Sequence, residues 1–562
     1  MPPPANGHEL PGEVEDDPNG LRQDLDERHV NMIAFSSVLG IGLFLQAGRV
    51  IYYAGPSLAL FAYLLTGTVM WSAMACLGEM TALFPVKGAV FEFPGRFLDE
   101  AVGYAVGWMA WYFYVVVVAA EVTAVSQLFK FQFDPSYLAQ VGYPEQTLQW
   151  GVGLKTNPAV WATILLIIMG VANLLPVRAY GEIEYVIGVC KMLFICMLII
   201  LNVVINTASF GTNEPSHFKY YEEPYSFQSQ NFTLHGNTIT GGPGHLASMW
   251  TAMTTTMFGM AGFDASIKLA TRKISLRIIL LYTLATFTAG LNVPYTDPNL
   301  KSLAAFLNAF YVFSATSAGI NALYLASRLL HALACIPEAW PRWSLTMTLR
   351  SKLQRTSYGV PKAAVFASWL FGLLGFLAVK PTSAEILGRI AINSVVSNLI
   401  VYCLICASYL RFYKCINRAA RGVDPEVDQN VEAYNRENDS MYPYKSHLQY
   451  LRAWYGLCGT FLFALFNGWR SVVSPMSISS FLASYFNIPV FLVLILAYRI
   501  KLDSWDPRQW IIRANQDLRN PVSVTEQDPR LRRGRLRRRD RNVYWSRENA
   551  RGFLQWIWVW LL

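Results

Sequence analysis

The sequence predicts an all-α membrane protein with about twelve transmembrane helices. Three observations lead to this prediction. Hydrophobic residues make up 53% of the 562 residues and charged residues 15%, and the mean hydropathy is +0.29, unlike a soluble globular protein. The apolar stretches are long enough for about twelve spans of ~20 residues each. Basic residues concentrate in alternate loops, as they do in polytopic membrane proteins.

The first span, Asn31 to Tyr53, contains an interruption in its middle. The pair Ser36-Ser37 precedes the run Gly40-Ile41-Gly42. Glycine costs about 1 kcal/mol of helix stability, and serine hydroxyls compete with the helix for backbone hydrogen bonds. We therefore expect the helix to break here.

A helix break at this depth predicts a ligand site. Freed backbone groups are tolerated in a membrane only where they face protein or a water-filled cavity. The half-helix that starts near Gly42 presents a positive end, and the half that ends near Ser37 presents free carbonyls. Together they suit a carboxylate and an ammonium group, as in an α-amino acid, and the expected substrate-binding residues are Ser36, Ser37, Gly40, Ile41 and Gly42. The alternative is that these small residues only let a neighbouring helix approach closely.

Spans two to five add two intramembrane charges. A turn at Tyr53–Pro56 leads into spans at Leu58–Leu77, Ala101–Phe129, Ala159–Leu175 and Ile183–Ile205. Glu121 lies inside the third span and Lys191 inside the fifth, where a charge costs several kcal/mol. We expect both residues to serve proton coupling. The alternatives are packing hydrogen bonds for Glu121 and an extension of Lys191 to the membrane interface.

The sixth span resembles the first in its chemistry. It starts near His245 and runs into the stretch Phe258–Asp264, where Gly259 and Gly262 interrupt an apolar helix. Phe258 is a candidate lid over the ligand, the two glycines are candidate substrate-binding residues, and Asp264 is a third candidate for proton coupling. Two breaks five spans apart predict two inverted repeats with a site near the bilayer midplane.

The predicted organisation has three parts. A Pro-rich, acidic tail over residues 1–28 lacks a signal-peptide core and is expected to be disordered in the cytoplasm. The transmembrane domain covers residues 29–500, with repeats at about 29–206 and 245–413 and two further helices at about 451–498. A basic, Trp-rich tail covers residues 501–562, and we expect it to contact anionic lipid. The alternative is that its arginines are solvated and its tryptophans pack on the protein's own inner loops.

The remaining spans complete the predicted orientation. They are expected at about Ile274–Val293, Leu303–Leu333, Ala363–Val379, Ile386–Leu410, Leu451–Trp469 and Ile478–Tyr498. An amino terminus in the cytoplasm places the main basic clusters inside, at Arg178, Lys268–Arg277, Arg342–Arg355 and Arg411–Arg418. Both termini are then cytoplasmic.

Composition and motifs argue against other functions. The net charge of +9 is explained by topology, and no nucleic-acid motif accompanies it, so no nucleic-acid partner is expected. The eight cysteines show no metal-binding spacing and no disulfide pattern. No paired carboxylates or nucleophile motif indicates an enzyme. We therefore expect a non-enzymatic protein with no metal.

Several motifs resemble those of fungal amino acid permeases, of the amino acid-polyamine-organocation superfamily. The motifs are His29–Ala34, Gly40–Phe44, Gly78–Met80 with Phe84-Pro85, Gly103–Trp108, Gly181–Tyr185 leading to Lys191, Val293–Pro298, and Ser317–Gly319 continuing to Arg328. The resemblance implies a 5+5 inverted-repeat fold with broken helices 1 and 6, and proton-coupled amino acid uptake at the plasma membrane. It implies the proton gradient as driving force, with no cofactor. Lys191, Glu121 and Phe258 match the family's intramembrane lysine, its acidic residue and its aromatic gate.

The sequence departs from this family at three places. Ile41 replaces a usual hydroxyl residue, and the segments after Asp264 and after Pro298 are short. These departures leave two alternatives to a working transporter open. One is an amino acid sensor or receptor with a permease fold, and the other is an inactive truncated permease.

Overall fold

A computed structural model describes most of the chain between its two tails. The described residues are 27–40, 42, 46–84, 86, 88–130, 132, 136, 149–207, 217–230, 232–234, 237–260, 271–292, 305–336, 340, 343–379, 381–420, 435–437, 442, 445, 448–473 and 477–502. The predictions for both tails therefore lie almost wholly outside the described residues.

The described chain is mostly α-helical. Its α-helices are α1 (Glu27–Val38), α2 (Gln46–Leu83), α3 (Ala89–Phe97), α4 (Glu100–Leu128), α5 (Gly151–Lys155), α6 (Pro158–Leu174), α7 (Val177–Thr207), α8 (Gly241–Gly259), α9 (Thr271–Asn292), α10 (Ala305–Cys335), α11 (Ser344–Gln354), α12 (Lys362–Phe371), α13 (Pro381–Ala420), α14 (Gln449–Phe466), α15 (Trp469–Val472), α16 (Ile478–Tyr485) and α17 (Asn487–Leu502). Short 3₁₀ helices cover Lys219–Tyr221 and Gly372–Val379. The strands β1 (Phe232–Leu234) and β2 (Asn237–Ile239) form one antiparallel hairpin with Phe232 opposite Ile239.

Several of these helices can cross a membrane. In the described part, five are long and apolar enough: Ala47–Leu83, Glu100–Leu128, Val177–Thr207, Asn308–Cys335 and Gly388–Asn417. The pair α16 and α17, bent by 41°, adds a sixth if it forms one span. The predicted all-α architecture is confirmed, and the number of about twelve spans stays a prediction.

The turn predicted at Tyr53–Pro56 lies inside α2. Gly55 has φ 76° and ψ 165°, which is not helical, so α2 consists of two helices that meet at a bend. A positive φ of this size favours glycine, because a Cβ atom would strain the backbone. Pro56 follows as the first residue of the second helix, where its missing N–H costs nothing. The segment before Gly55 is thus the far half of the predicted first span.

Local signals explain where other helices start. Asp99 caps α4 by accepting a hydrogen bond from the backbone N–H of Ala101 at 2.8 Å. Asn157 caps α6 in the same way through Ala159, and Pro158 occupies the first helical position. Such caps satisfy backbone donors that lack a partner in the first helical turn. They set the start of these two helices within one residue of the predicted spans.

Helix α1, the first half of the interrupted span, contacts three other helices of the described chain. It packs against α7, α10 and α9, while α8 packs along α2. The starts of α1 and α7 meet through an ion pair between His29 and Glu182, whose Nε2 and Oε1 atoms are 3.1 Å apart. Val177, at the start of α7, packs against Val360 and Val365 near the start of α12. These helix ends therefore gather at one end of the bundle, which the sequence predicts to be cytoplasmic.

Candidate functional site

The site is built around the end of α1. The helix ends at Val38, inside the predicted interruption, and this leaves backbone carbonyls without helical partners. Side chains of α7, α9 and α10 form hydrogen bonds with these carbonyls. Lys191 Nζ of α7 donates to the carbonyl oxygens of Ser36 and Leu39, both at 2.9 Å. Ser314 of α10 also donates to Leu39, at 2.8 Å.

Tyr282 of α9 connects the two predicted helix breaks. Its hydroxyl lies 2.8 Å from the carbonyl oxygen of Val38 and 3.0 Å from that of Gly259. Helix α8 ends at Gly259, so both carbonyls belong to helix ends. The backbones at Gly42 and Gly259 approach so closely that a Cβ atom on Gly42 would overlap with the Cα atom of Gly259. The structure therefore brings the two interrupted segments together.

Lys191 is completely buried. Its ammonium group faces the end of α1 instead of extending to a membrane interface, so the interface alternative is wrong for this structure. It interacts electrostatically with two carboxylates, Glu184 and Glu121. A buried ammonium group needs such partners, because removing a charge from water is costly.

Glu121 approaches the same helix end from α4. Its side chain is buried, and a Cβ atom on Gly40 would overlap with its Oε1 atom. A small cavity of about 30 Å³ lies beside it, lined by Ser37, Gly42, Tyr114, Ala318 and neighbouring apolar groups. This volume holds about one or two water molecules and excludes an amino acid. The site is therefore closed in the described conformation.

The sequence does not predict Glu184 as a site residue, nor Tyr282, Ser314 and Asn321, and Glu184 is the charged residue among these four. It is buried about two helical turns before Lys191 on α7 and accepts hydrogen bonds from Ser36 Oγ at 3.1 Å, Ser317 Oγ at 3.1 Å and Asn321 Nδ2 at 2.8 Å. Tyr180 donates in turn to the amide oxygen of Asn321. The available signal was its position seven residues before Lys191, which places both side chains on one face of α7.

Of the other predicted site residues, Ser36, Ser37 and Phe258 belong to the described residues. Ser36 uses its hydroxyl on Glu184 and Ser317, and Ser37 donates to the carbonyl of Ala34 in its own helix while lining the cavity. Phe258 lies in the last turn of α8. Outside the described residues lie Ile41, Gly262 and Asp264.

Comparison with known proteins gives the family. The family model described as amino acid permease matches residues 29–511. The chain belongs to the amino acid permease family. The sequence resemblance is thereby confirmed, and the protein is a multi-pass membrane protein of a family of transporters, not of enzymes.

Individual permeases are similar over most of their length. The lysine/arginine permease of Candida albicans is 26% identical over 507 residues, covering 86% of this chain and 81% of that protein. The proline-specific permease of Saccharomyces cerevisiae is 26% identical, with coverage of 88% and 77%. The proline-specific permease of Emericella nidulans is also 26% identical, with coverage of 90% and 89%. These relatives are named for different amino acids, so similarity indicates the substrate class and not one substrate.

Proposed function

We propose that this permease carries amino acids across the plasma membrane together with protons, by alternating access. The observation that carries the proposal is the contact of buried Lys191 with the carbonyls of Ser36 and Leu39 at the break of α1. A titratable group is thus bonded directly to the backbone that the substrate is expected to meet. Membership of the amino acid permease family supports the substrate class.

The proposed substrate site uses backbone groups of the two interrupted segments. The carboxylate of the amino acid binds N–H groups around Gly40, Ile41 and Gly42, because a helix start there presents a partial positive charge. The ammonium group binds free carbonyls at the ends of α1 and α8. Gly259 and Gly262 permit this close approach, and Phe258 covers the ligand. Ser37 already lines the cavity next to this backbone.

Proton coupling is proposed to act through Lys191. While it is protonated, its two hydrogen bonds to Ser36 and Leu39 hold the end of α1 against α7, and Glu121 and Glu184 balance its charge. Loss of the proton removes that charge and weakens the hydrogen bonds, since charged donors bind about twice as strongly as neutral ones. Glu121 exchanges protons with the cavity beside it, and Asp264 is the third proposed coupling group.

Alternating access follows from the closed geometry. The cavity of about 30 Å³ is far smaller than the ligand pockets of several hundred Å³ that small molecules occupy in proteins. Substrate entry therefore requires α1 or α8 to move away from the other helices. We propose the 5+5 arrangement of about twelve spans, with broken helices 1 and 6, as the frame in which this movement occurs. Both termini lie in the cytoplasm in this arrangement.

Uptake into reconstituted vesicles tests the proposal. The purified protein is placed in proteoliposomes with an inward proton gradient, and a panel of labelled amino acids is offered with and without a proton uncoupler. We expect uptake of at least one amino acid, lost on uncoupling. Uptake that the uncoupler leaves unchanged contradicts proton coupling. Binding of an amino acid without any flux contradicts transport and favours the receptor alternative.

A further inference from the structure

We infer that α11 lies in the interface of the cytoplasmic leaflet and binds anionic phospholipid headgroups there. The helix and its flanks expose large apolar side chains to an unusual degree. Trp343 is 73% exposed, Leu345 80%, Leu349 46% and Tyr358 80%. Burying such a patch is favourable, so an exposed patch of this kind indicates a partner surface.

The exposed leucines continue a packed apolar strip. Leu345, Leu349 and Leu353 follow each other at intervals of four residues, so they share one flank of α11. Leu353 is buried against Leu330 and Ala334 of α10. Ser344 and Thr348 are exposed on the next face of the helix. The helix therefore has a protein side, an apolar flank beside it and a polar side, as expected for a helix that lies in a membrane surface.

The charges around α11 fit an anionic membrane. No acidic residue occurs between Glu338 and Glu385 in the sequence. Lys352, Arg355 and Lys362 in this stretch are all exposed. Basic side chains next to a membrane are attracted by anionic lipids of the cytoplasmic leaflet. Tryptophan and tyrosine, which flank the helix here, prefer the same interfacial depth.

The neighbouring surface continues into the membrane. Helix α12 starts directly after this segment and exposes Phe366 by 60% and Leu370 by 42%, as a lipid-facing helix does. The chain's own carboxyl tail is a poor occupant of the same surface, because its segment 530–539 is itself strongly basic. An anionic bilayer matches both features of this surface. Its apolar core can bury the exposed apolar side chains, and its charge attracts the basic ones.

This helix is attached to the proposed transport site. Arg350 Nε and Gln354 Nε2 donate to the carbonyl oxygen of Ala334 near the end of α10, at 2.9 and 2.8 Å. Helix α10 also carries Ser314, which contacts the end of α1, and Asn321, which contacts Glu184. Helix α11 is therefore connected by hydrogen bonds to the helix that lines the site.

Photochemical labelling of the full-length protein tests the inference without any need for transport. A diazirine-bearing amino acid replaces Leu349, or Thr348 on the polar side as matched control, in nanodiscs of phosphatidylcholine with phosphatidylserine. We expect phospholipid adducts at position 349 in clear excess over position 348. Equal labelling at both positions, or an adduct with a peptide of the protein's own tail, overturns the inference.

Charge variants test the headgroup preference in the same nanodiscs. In the parent protein we expect phosphatidylserine to exceed its bulk share among the adducts at position 349. In the double variant Lys352→Gln and Arg355→Gln this enrichment disappears, whereas Lys155→Gln, an exposed lysine on the opposite side of the membrane, retains it. Enrichment that is absent from the parent, or unchanged in the double variant, contradicts anionic recognition.

Discussion

The ammonium nitrogen of Lys191 lies 2.9 Å from the carbonyl oxygen of Leu39, the first residue after the end of α1. The two residues are 152 positions apart in the sequence. The ammonium group of the fifth predicted span therefore binds a backbone carbonyl at the helix end in the first predicted span. Because loss of the proton of Lys191 would weaken this bond, we propose that protonation and the shape of the substrate site are linked.

Replacing Lys191 tests that link. In Lys191→Met we expect the pH dependence of uptake to disappear and the protein to fold with reduced stability, because the buried Glu121 and Glu184 lose the charge of Lys191. The measurement is uptake over a range of external pH, together with size-exclusion chromatography of the purified variant. Lys155→Met, which changes an exposed lysine outside the site, is the matched control and should behave as the parent. An unchanged pH profile in Lys191→Met would remove Lys191 from coupling.

Gly42 tests the contact between the two breaks. In Gly42→Leu we expect uptake to be abolished, because even a Cβ atom collides with the backbone of Gly259. In Gly42→Ala we expect a severe loss as well, since its Cβ atom alone would overlap with the Cα atom of Gly259. Gly151→Leu is the control, as a Cβ atom at Gly151 meets open space. Both Gly42 variants are assayed for uptake and surface expression, and normal uptake by Gly42→Leu places the site elsewhere.

The parts that the sequence predicts well are those with local causes. The break after Ser36-Ser37 and the turn at Gly55 follow from residues that weaken helices where they stand. Lys191 and Glu121 are conspicuous because a charge inside an apolar span is costly at any position. The partners of these charges could not be predicted, since they come from packing between helices far apart in the sequence.

Glu184 shows why one site residue was missed. The apolar pattern predicts that the fifth span starts at Ile183, where a carboxylate would lie at the helix end near water. The helix actually starts at Val177, so Glu184 lies in its second turn and is buried among Ser36, Ser317 and Asn321. Hydropathy marks only the apolar part of a helix, and the first turns of α7 contain polar residues. The buried part of α7 therefore begins before the span that the hydropathy predicts.

Glu184→Gln measures the contribution of this carboxylate. Hydrogen bonds to a charged group contribute about 1.5–3 kcal/mol, and the amide keeps only one of two accepting oxygens, so we expect roughly a tenfold loss of uptake or more. The pH profile should change as well, because one of the two carboxylates around Lys191 is lost. Glu184→Asp should recover part of the activity. Glu222→Gln, which changes an exposed residue between α7 and α8, is the control, and equal effects of both Gln variants would exclude a specific role.

The last prediction concerns a clamp formed by Glu79, Arg436 and Tyr442. Glu79, near the end of α2, is completely buried and accepts from Arg436 Nε at 2.8 Å and from the Tyr442 hydroxyl at 2.9 Å. Burial acts to lower the pKa of Arg436, but the negative charge of Glu79 outweighs it and raises the pKa above its ordinary value. A raised pKa means that the arginine contributes its stability fully below that value and loses it only at still higher pH.

Removing the arginine therefore takes a counter-charge away from a buried carboxylate. Breaking a buried pair costs about 3–5 kcal/mol, and because Arg436 is partly exposed we expect roughly the lower end of that range. Arg436→Gln should lower the apparent Tm by several degrees, by the same amount at pH 6 and pH 8, since the arginine is charged at both. Thermal unfolding of the purified protein measures this, with Glu437→Gln on the exposed neighbour as control. A Tm equal to that of the parent would show that the segment around Arg436 does not hold the end of α2.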